Sequence, residues 1–335
     1  MRHPHVSFLV PVRDEAPFLA EALESLSAQT FEDFEAIVVD DGSADGSAEI
    51  AEAHAGADPR FRVLRSAPVG LVGTLEQARA EARGGLLARM DGDDVALPER
   101  LALQVEALEV EGLDAAGGGI AYFPEESVKE GARRYERWLN GLTTTEAAAR
   151  DVFVECPLPH PTLVVRREAF DAAGGYREQG WPEDYDLVLR LWANGARFRN
   201  VEAVVLRWRD HPDRLSRLDG RYALEAFVRC KVHHLGATVL RRFESVVVWG
   251  AGPVGKSFAR ELTDSGHAVA AFVDVDPRKI GRLVYGIPVV SVEEAPVHAD
   301  SLALGAVAGP EARARIRAEV TAQGRRDGID FVAVA

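Results

Sequence analysis

Short apolar runs alternate along this chain with segments whose apolar residues recur every three or four positions. Val6 to Val12 is the first run, and Phe18, Leu19, Ala22, Leu23 and Leu26 follow at the spacing of one helix face. The pairing repeats as Phe34 to Val39 then Ser47 to Ala55, Phe61 to Leu64 then Leu71 to Ala82, and Leu86 to Met90 then Leu97 to Glu111. Buried strands separated by helices predict an α/β fold with a parallel sheet. In such sheets ligands gather beyond the carboxyl ends of the strands. Three polar clusters fall there: Val12-Arg13-Asp14-Glu15, Asp40-Asp41-Gly42-Ser43 and Asp91-Gly92-Asp93-Asp94. A merely solvated surface gives no reason for them to converge on one edge.

The middle of the chain is less regular. A strand is expected from Gly117 through Phe123, and Pro157-Leu158-Pro159-His160-Pro161 reads as a rigid loop before a strand at Thr162 to Val165. Trp181-Pro182-Glu183-Asp184 precedes an apolar helix, Tyr185 to Trp192, and Arg221 to Arg242 reads as a closing helix and connector. A new α/β unit starts at Val246. Strand Val246 to Trp249 runs into Gly250-Ala251-Gly252-Pro253-Val254-Gly255, and Asp274 ends the next strand about 20 residues later, the register of a dinucleotide fingerprint. Gly250 and Gly252 would let backbone amides approach a phosphate at the helix start, with Gly255 completing the motif and Asp274 receiving ribose hydroxyls. NAD(P) or another nucleotide is the expected ligand, and a Rossmann-like fold used only for assembly is the alternative. The expected organisation is residues 1–228, a connector over 229–245, and a small domain over 246–335.

Composition narrows the classes. A chain of 335 residues suits two domains, and 47% hydrophobic with 27% charged residues excludes a disordered chain. A net charge of −14 argues against a nucleic-acid partner. Cys156 and Cys230 make no disulfide framework, and no apolar run approaches the roughly 20 residues that span a bilayer. Met1 to His5 lacks a signal-peptide core, so a cytoplasmic protein is expected.

The residues from Asp91 to Asp94 carry the sharpest chemistry. Crowded carboxylates at a strand end repel one another unless a cation or a hydrogen-bonding ligand joins them. An Asp-x-Asp there can hold a hard divalent cation, Mg²⁺ or Mn²⁺, through oxygen ligands. The alternative is an acidic turn capping the helix that begins near Pro98.

Four segments together resemble one family. "VSFLVPVRDEAPFLAEALESLSAQTFEDFEAIVVDDGSADGS", "ARMDGDDVALPERL", "HPTLVVRREAFDAAGGY" and "WPEDYDLVLRLW" are similar, in order and spacing, to glycosyltransferase family 2 over roughly residues 5 to 220. The resemblance implies a GT-A fold, a nucleotide-diphosphate sugar donor (a UDP-sugar first), a divalent cation and inversion at the anomeric carbon. It implies that Asp41 accepts from the base, that Pro11, Arg13 and Glu15 belong to the donor site, and that Asp93 binds the metal while Asp91 meets the ribose or the metal. Asp94 would face the other way or support the shell. Asp184 matches the family's general base, with Glu183 as its weaker neighbour, although both could simply cap the following helix. Trp181 and His160 are assigned to the acceptor side. His211, in "RWRDHPDRLS" beside Arg209 and Arg214, is a candidate third ligand or phosphate contact. Asp14 departs from the Asn that many members carry before the Glu. The segment "FVDVDPRKIGRLVYGIPVVS" resembles the nucleotide-binding domains that precede sugar acyltransferases.

The expected activity is transfer of a sugar to a hydroxyl of a saccharide, lipid-linked or protein acceptor in cell-surface polysaccharide or glycoconjugate synthesis, with a homodimer as the expected assembly. Three rivals stand beside it. A nucleotidyltransferase would want a glycine-rich basic loop after the first strand, where this chain has Val10-Pro11-Val12-Arg13. A non-catalytic nucleotide-sugar sensor would not need Asp91, Asp93 and Asp184 together. An NAD-dependent oxidoreductase rests on the second domain alone.

Overall fold

The structure, a computed structural model, describes residues 3–335; Met1 and Arg2, part of the amino-terminal segment read above, lie outside them. The chain divides into two compact units, the first comprising 1–149, 157–179 and 186–218, and the second 150–156, 180–185 and 219–335.

The first unit is built on an eight-stranded sheet. Its amino-terminal half alternates β1 (Val6–Val12), α1 (Ala16–Ser27), β2 (Phe34–Asp40), α2 (Ser47–Ala57), β3 (Phe61–Arg65), α3 (Gly70–Glu81) and β4 (Leu86–Arg89). Strand β1 lies between β2 and β4, all parallel, because β1 and β2 are buried along their whole length and need cover on both faces. The register pairs Val12 with Asp40 and Asp40 with Arg65, bringing the strand ends to one edge. That is the edge expected from the pattern.

The remainder of the unit adds β5 (Val95–Ala96), α4 (Arg100–Val110), β6 (Ala115–Phe123), α5 (Glu130–Asn140), α6 (Thr145–Arg150, all but its last residue), β7 (Val164–Arg166), α7 (Arg167–Ala173), α8 (Glu183–Ala193, from Asp186 onward), β8 (Phe198–Arg209) and the single turn α9 (Leu215–Leu218). The sheet order is β3-β2-β1-β4-β7-β6-β8-β5. Several features differ from the pattern reading. The twelve-residue β8 was not anticipated, since its burial does not alternate and its register with β6 shifts at Gly118 and Gly119. A Cβ at Gly118 would lie 2.2 Å from Val205 Cγ2, so the glycine run is what lets β8 lie against β6. Helix α5 also escaped notice because it buries only Leu139. A 3₁₀ turn at His160–Thr162 takes the start of the strand expected at Thr162. Helix α8 begins at Glu183, two residues before the expected Tyr185.

The second unit contains α10 (Leu224–Ala237), β9 (Ser245–Trp249), α11 (Pro253–Asp264), β10 (Ala268–Val273), β11 (Leu283–Val284), β12 (Ile287–Val290), β13 (Leu302–Gly305), α12 (Pro310–Ala322) and β14 (Phe331–Ala333). Its sheet has the order β11-β12-β10-β9-β13-β14 and is parallel except for the β11–β12 hairpin, a small Rossmann-like arrangement. Helix α10, read as closing helix and connector, is held in this unit by a buried lysine. Lys231 Nζ donates to Val154 O at 2.7 Å and to Val334 O at 3.1 Å. Among the described residues no helix is long and apolar enough to cross a membrane.

Candidate active site

The acidic cluster forms where β4 ends. The side-chain oxygens of Asp91, Asp93 and Asp94 lie within 4.8 Å of one another. Asp94 does not turn away; it is fully buried, and its Oδ1 accepts from Arg209 N at 2.8 Å. Glu15 joins them from the loop after β1, and a Cβ on Gly92 would fall 2.0 Å from Glu15 Oε2. Glycine stands at position 92 because the Glu15 carboxylate occupies the space a side chain would need. Asp94 Oδ2 and Glu15 Oε2 are buried without a hydrogen-bond partner. Buried, unsatisfied oxygens of this kind call for a cation, a proton or a ligand donor. Burial, and then the charges of Asp93 and Asp91, push Glu15 and Asp94 well above the usual carboxylate range. Burial also raises Asp91, against the opposing pull of Arg89.

Strand β8 delivers the other side of the cluster. His211 Nε2 lies 2.8 Å from Asp93 Oδ2, and its ring packs 5.1 Å from that of Phe18. Arg209 donates through Nε to Asp93 O at 2.6 Å and through Nη2 to Glu21 at 2.5 Å. Arg214 lies over Trp208, 4.7 Å from its ring centroid. Residues 118 positions apart in sequence thus meet around Asp93.

Asp41, at the end of β2, is 3% exposed and reaches across to the start of α3. Its Oδ1 accepts from Val69 N at 2.6 Å, and its Oδ2 from Gly70 N at 3.1 Å and from Arg13 Nη1 at 3.3 Å. It makes no Asx turn with Gly42; the neighbouring Asp40 accepts from Ser43 N instead. Pro11 is buried within β1 opposite Val39. Asp14 adopts φ +53° and accepts from Ala44 N at 2.8 Å. Asp and Asn both tolerate that left-handed conformation, so the departure at position 14 preserves the turn.

His160 is buried, and its Nε2 lies 2.8 Å from the Tyr176 hydroxyl. Burial, helped by the charge of Arg89, holds it well below the usual histidine range, so it is neutral.

His160 belongs to the first unit, whereas the second unit carries the other residues expected on the acceptor side, Trp181, Glu183 and Asp184. Glu183 is 1% exposed and accepts from the Tyr222 hydroxyl at 2.9 and 3.0 Å. Asp184 accepts from Tyr185 N at 2.7 Å; burial, then Glu183, pushes it up to about 8. The Trp181 ring sits 5.1 Å from that of His233, in a cleft of about 440 Å³ whose walls are α10 and α11.

In the glycine loop of the same unit, Gly250 has φ +111° and a Cβ at Gly255 would fall 1.8 Å from Gly250 O, so both positions require glycine. Space in front of Gly252, the residue capping α11, is open. Asp274 Oδ2 already accepts from Ala251 N at 2.9 Å and from Lys279 Nζ at 2.8 Å.

Sequence reasoning passed over Arg89, Arg100, Gly92 and Tyr222. Arg89 sat inside an apolar run and Arg100 on an amphipathic helix, and no local pattern marks a buried guanidinium. The signal available was a charged residue in a strand otherwise fit for the core.

A parallel sheet with carboxylates at its strand ends, closed by antiparallel strands and followed by a Rossmann-like unit, defines a nucleotide-binding transferase of the GT-A type. The chain belongs to glycosyl transferase family 2, whose model matches residues 7–174, about half of it, and it is a glycosyltransferase enzyme. A CoA binding domain model matches residues 242–329, and nothing in that match speaks for NAD(P). The chain is 30% identical to the putative glycosyltransferase EpsE of Bacillus subtilis over 66% of its own length and 79% of that protein. Solved structures share the fold, two of them bound to nucleotide sugars. TarS of S. aureus, in complex with UDP-GlcNAc, gives a TM-score of 0.56 at 17% identity, over 78% of this chain and 73% of that one. The mannosyltransferase PcManGT of Pyrobaculum calidifontis, in complex with GDP-Man and Mn²⁺, gives 0.53 at 16% identity, over 97% and 82%.

Proposed function

We propose that this enzyme transfers a sugar from a nucleoside-diphosphate sugar to an acceptor hydroxyl, with inversion and with a divalent cation at the Asp91–Asp94 cluster, in cell-surface polysaccharide or glycoconjugate synthesis. One observation carries the reading: three aspartates converge at a strand end, with the buried Asp94 Oδ2 unpartnered and His211 set against Asp93. Oxygen-rich ligand sets suit Mg²⁺ or Mn²⁺. Asp93 and Asp91 are the direct ligands, His211 is the third, and Asp94 and Glu15 supply further negative charge. A cation bound there stabilises the charge that develops on the departing diphosphate.

Donor and acceptor roles fall on separate side chains. Asp41 has lone pairs left after its three hydrogen bonds and can accept from a nucleobase N–H, with Arg13 and Pro11 beside it. Asp184 takes the proton of the acceptor hydroxyl, a role its elevated pKa suits when it is ionised. The donor class follows the relatives: one fold neighbour is complexed with a UDP-sugar and another with a GDP-sugar and Mn²⁺. In the second unit, the open approach to Gly252 favours a nucleotide-containing ligand.

Calorimetric titration of UDP-sugars and GDP-sugars, with and without Mn²⁺, tests the donor site. Binding should require the cation, and Asp93→Ala should remove the cation-dependent part while the protein stays folded. Unchanged donor affinity for Asp93→Ala in Mn²⁺ would show that the cluster is only an acidic turn.

A further inference from the structure

Two guanidinium groups are buried against the acidic cluster. Arg89, the last residue of β4, is 2% exposed, and Arg100, the first of α4, is 0% exposed. Burying an ion is unfavourable unless opposite charge and hydrogen bonds offset its lost hydration. Arg89 meets both conditions: its Nη2 donates to Asp91 Oδ1 at 2.5 Å and its Nη1 to Met90 O.

Arg100 is the more informative of the two. Its Nη2 donates to Arg89 O at 2.5 Å, its Nη1 to Met90 Sδ at 3.3 Å and its Nε to Gln104 Oε1 at 3.2 Å. Each of those acceptors is neutral, and a neutral donor could serve any of them. The negative charges acting on Arg100 are those of Asp94 and Asp91. Gln104 in turn donates to Thr162 O at 2.6 Å and Ala116 O at 3.2 Å, which anchors the arginine to β6 and to the turn before β7.

We propose that Arg89, braced by Arg100, is the positioning residue of the acidic cluster: it fixes Asp91, and the two guanidiniums together supply the counter-charge that holds Glu15, Asp91, Asp93 and Asp94 in one place before a cation arrives. The proposal rests on the reading of that cluster as the donor and cation site. Its physical content is that the cluster is preformed, so an incoming cation does not have to gather its ligands.

The test uses the full chain and four variants, Arg89→Met, Arg89→Lys, Asp91→Asn and the double variant Arg89→Met/Asp91→Asn, melted in EDTA and in Mn²⁺. Arg89→Met should lose more Tm in EDTA than in Mn²⁺, because the cation replaces the missing positive charge. The double variant should melt above Arg89→Met alone, since removing the Asp91 charge relieves what the lost arginine left unbalanced. Arg89→Lys should recover much of the EDTA Tm. A residue that only packs would lose the same Tm with and without Mn²⁺, and its loss would add to that of Asp91→Asn; that pair of results overturns the proposal. If Arg89→Met does not fold, folding of the double variant supports the proposal and its failure to fold overturns it. A parent protein whose Tm ignores Mn²⁺ would sink the cation reading itself. The EDTA comparison would still decide the role of Arg89, with rescue by Asp91→Asn for it and simple additivity against it.

Discussion

In the proposed reaction Asp184 is the general base, and its surroundings set the pH at which it can act in that role. With burial and Glu183 holding it at about 8, it is ionised only toward alkaline pH. Transfer by donor-saturated enzyme should therefore rise with pH through about 8 and level off above. Asp184→Asn keeps the shape but cannot take the proton, so transfer should fall by at least about 10²-fold with donor binding retained. Transfer at the parent rate would make Asp184 a helix-end residue only. The same shift has a consequence for stability. A carboxyl group whose folded pKa lies above its unfolded value favours the folded state at low pH, and that contribution is lost as pH rises from about 4 through about 8. The Asn variant cannot ionise, so above pH 8 it should melt higher than the parent, by roughly 1–2 °C for each kcal/mol recovered. A parent and variant that melt together at pH 9 would mean that Asp184 is better hydrated than this account requires.

At the scale of elements, the glycine loop between β9 and α11 gives the next test. Gly250 and Gly255 are required by backbone conformation and close packing, whereas nothing crowds Gly252. Gly252→Trp should leave the Tm nearly unchanged and abolish binding of CoA, NAD, NADP or UDP-sugars to this unit, if any of them binds, by filling the approach to the helix start. Binding that survives both Gly252→Trp and Asp274→Ala would rule out the pocket. The sequence displayed this loop because strand, glycines, helix and acid are all local features, and β1 to β4 with their three strand-end clusters were legible for the same reason. Strand β8 was hidden because its pairing with β6 depends on Asn200 and Val205 lying over Gly117 and Gly118, a long-range packing fact. The closeness of His211 to Asp93 follows from that pairing, and only the family resemblance hinted at it. Glu15 against Gly92, and Arg89 against Asp91, were likewise set by which strands lie side by side. The capping role of Asp41 at α3 spans 28 residues and left no local mark.

For the whole molecule, the informative fact is that the chain enters the second unit three times, at 150–156, 180–185 and 219–335. No single cut can separate the two units. A chain ending at Arg242 would keep Glu15, Asp41, Asp91, Asp93 and His211, yet it would remove the partners of residues that stay behind. Lys231 would lose Val334 O, leaving a buried ammonium with only Val154 O of its two carbonyl acceptors. Asp151 would lose Arg317 Nη2, which now bonds it at 2.5 Å. Helix α10 would lose α11, against which it packs. Those changes fall on the unit that also holds Glu183, Asp184 and Tyr222. The truncated chain should therefore bind a nucleotide-sugar donor in Mn²⁺ with near-parental affinity by calorimetry, melt several degrees lower, and fail to transfer sugar to an acceptor. Full transfer activity in the 1–242 chain would show that residues 243–335 are dispensable for transfer and serve only a separate ligand or partner.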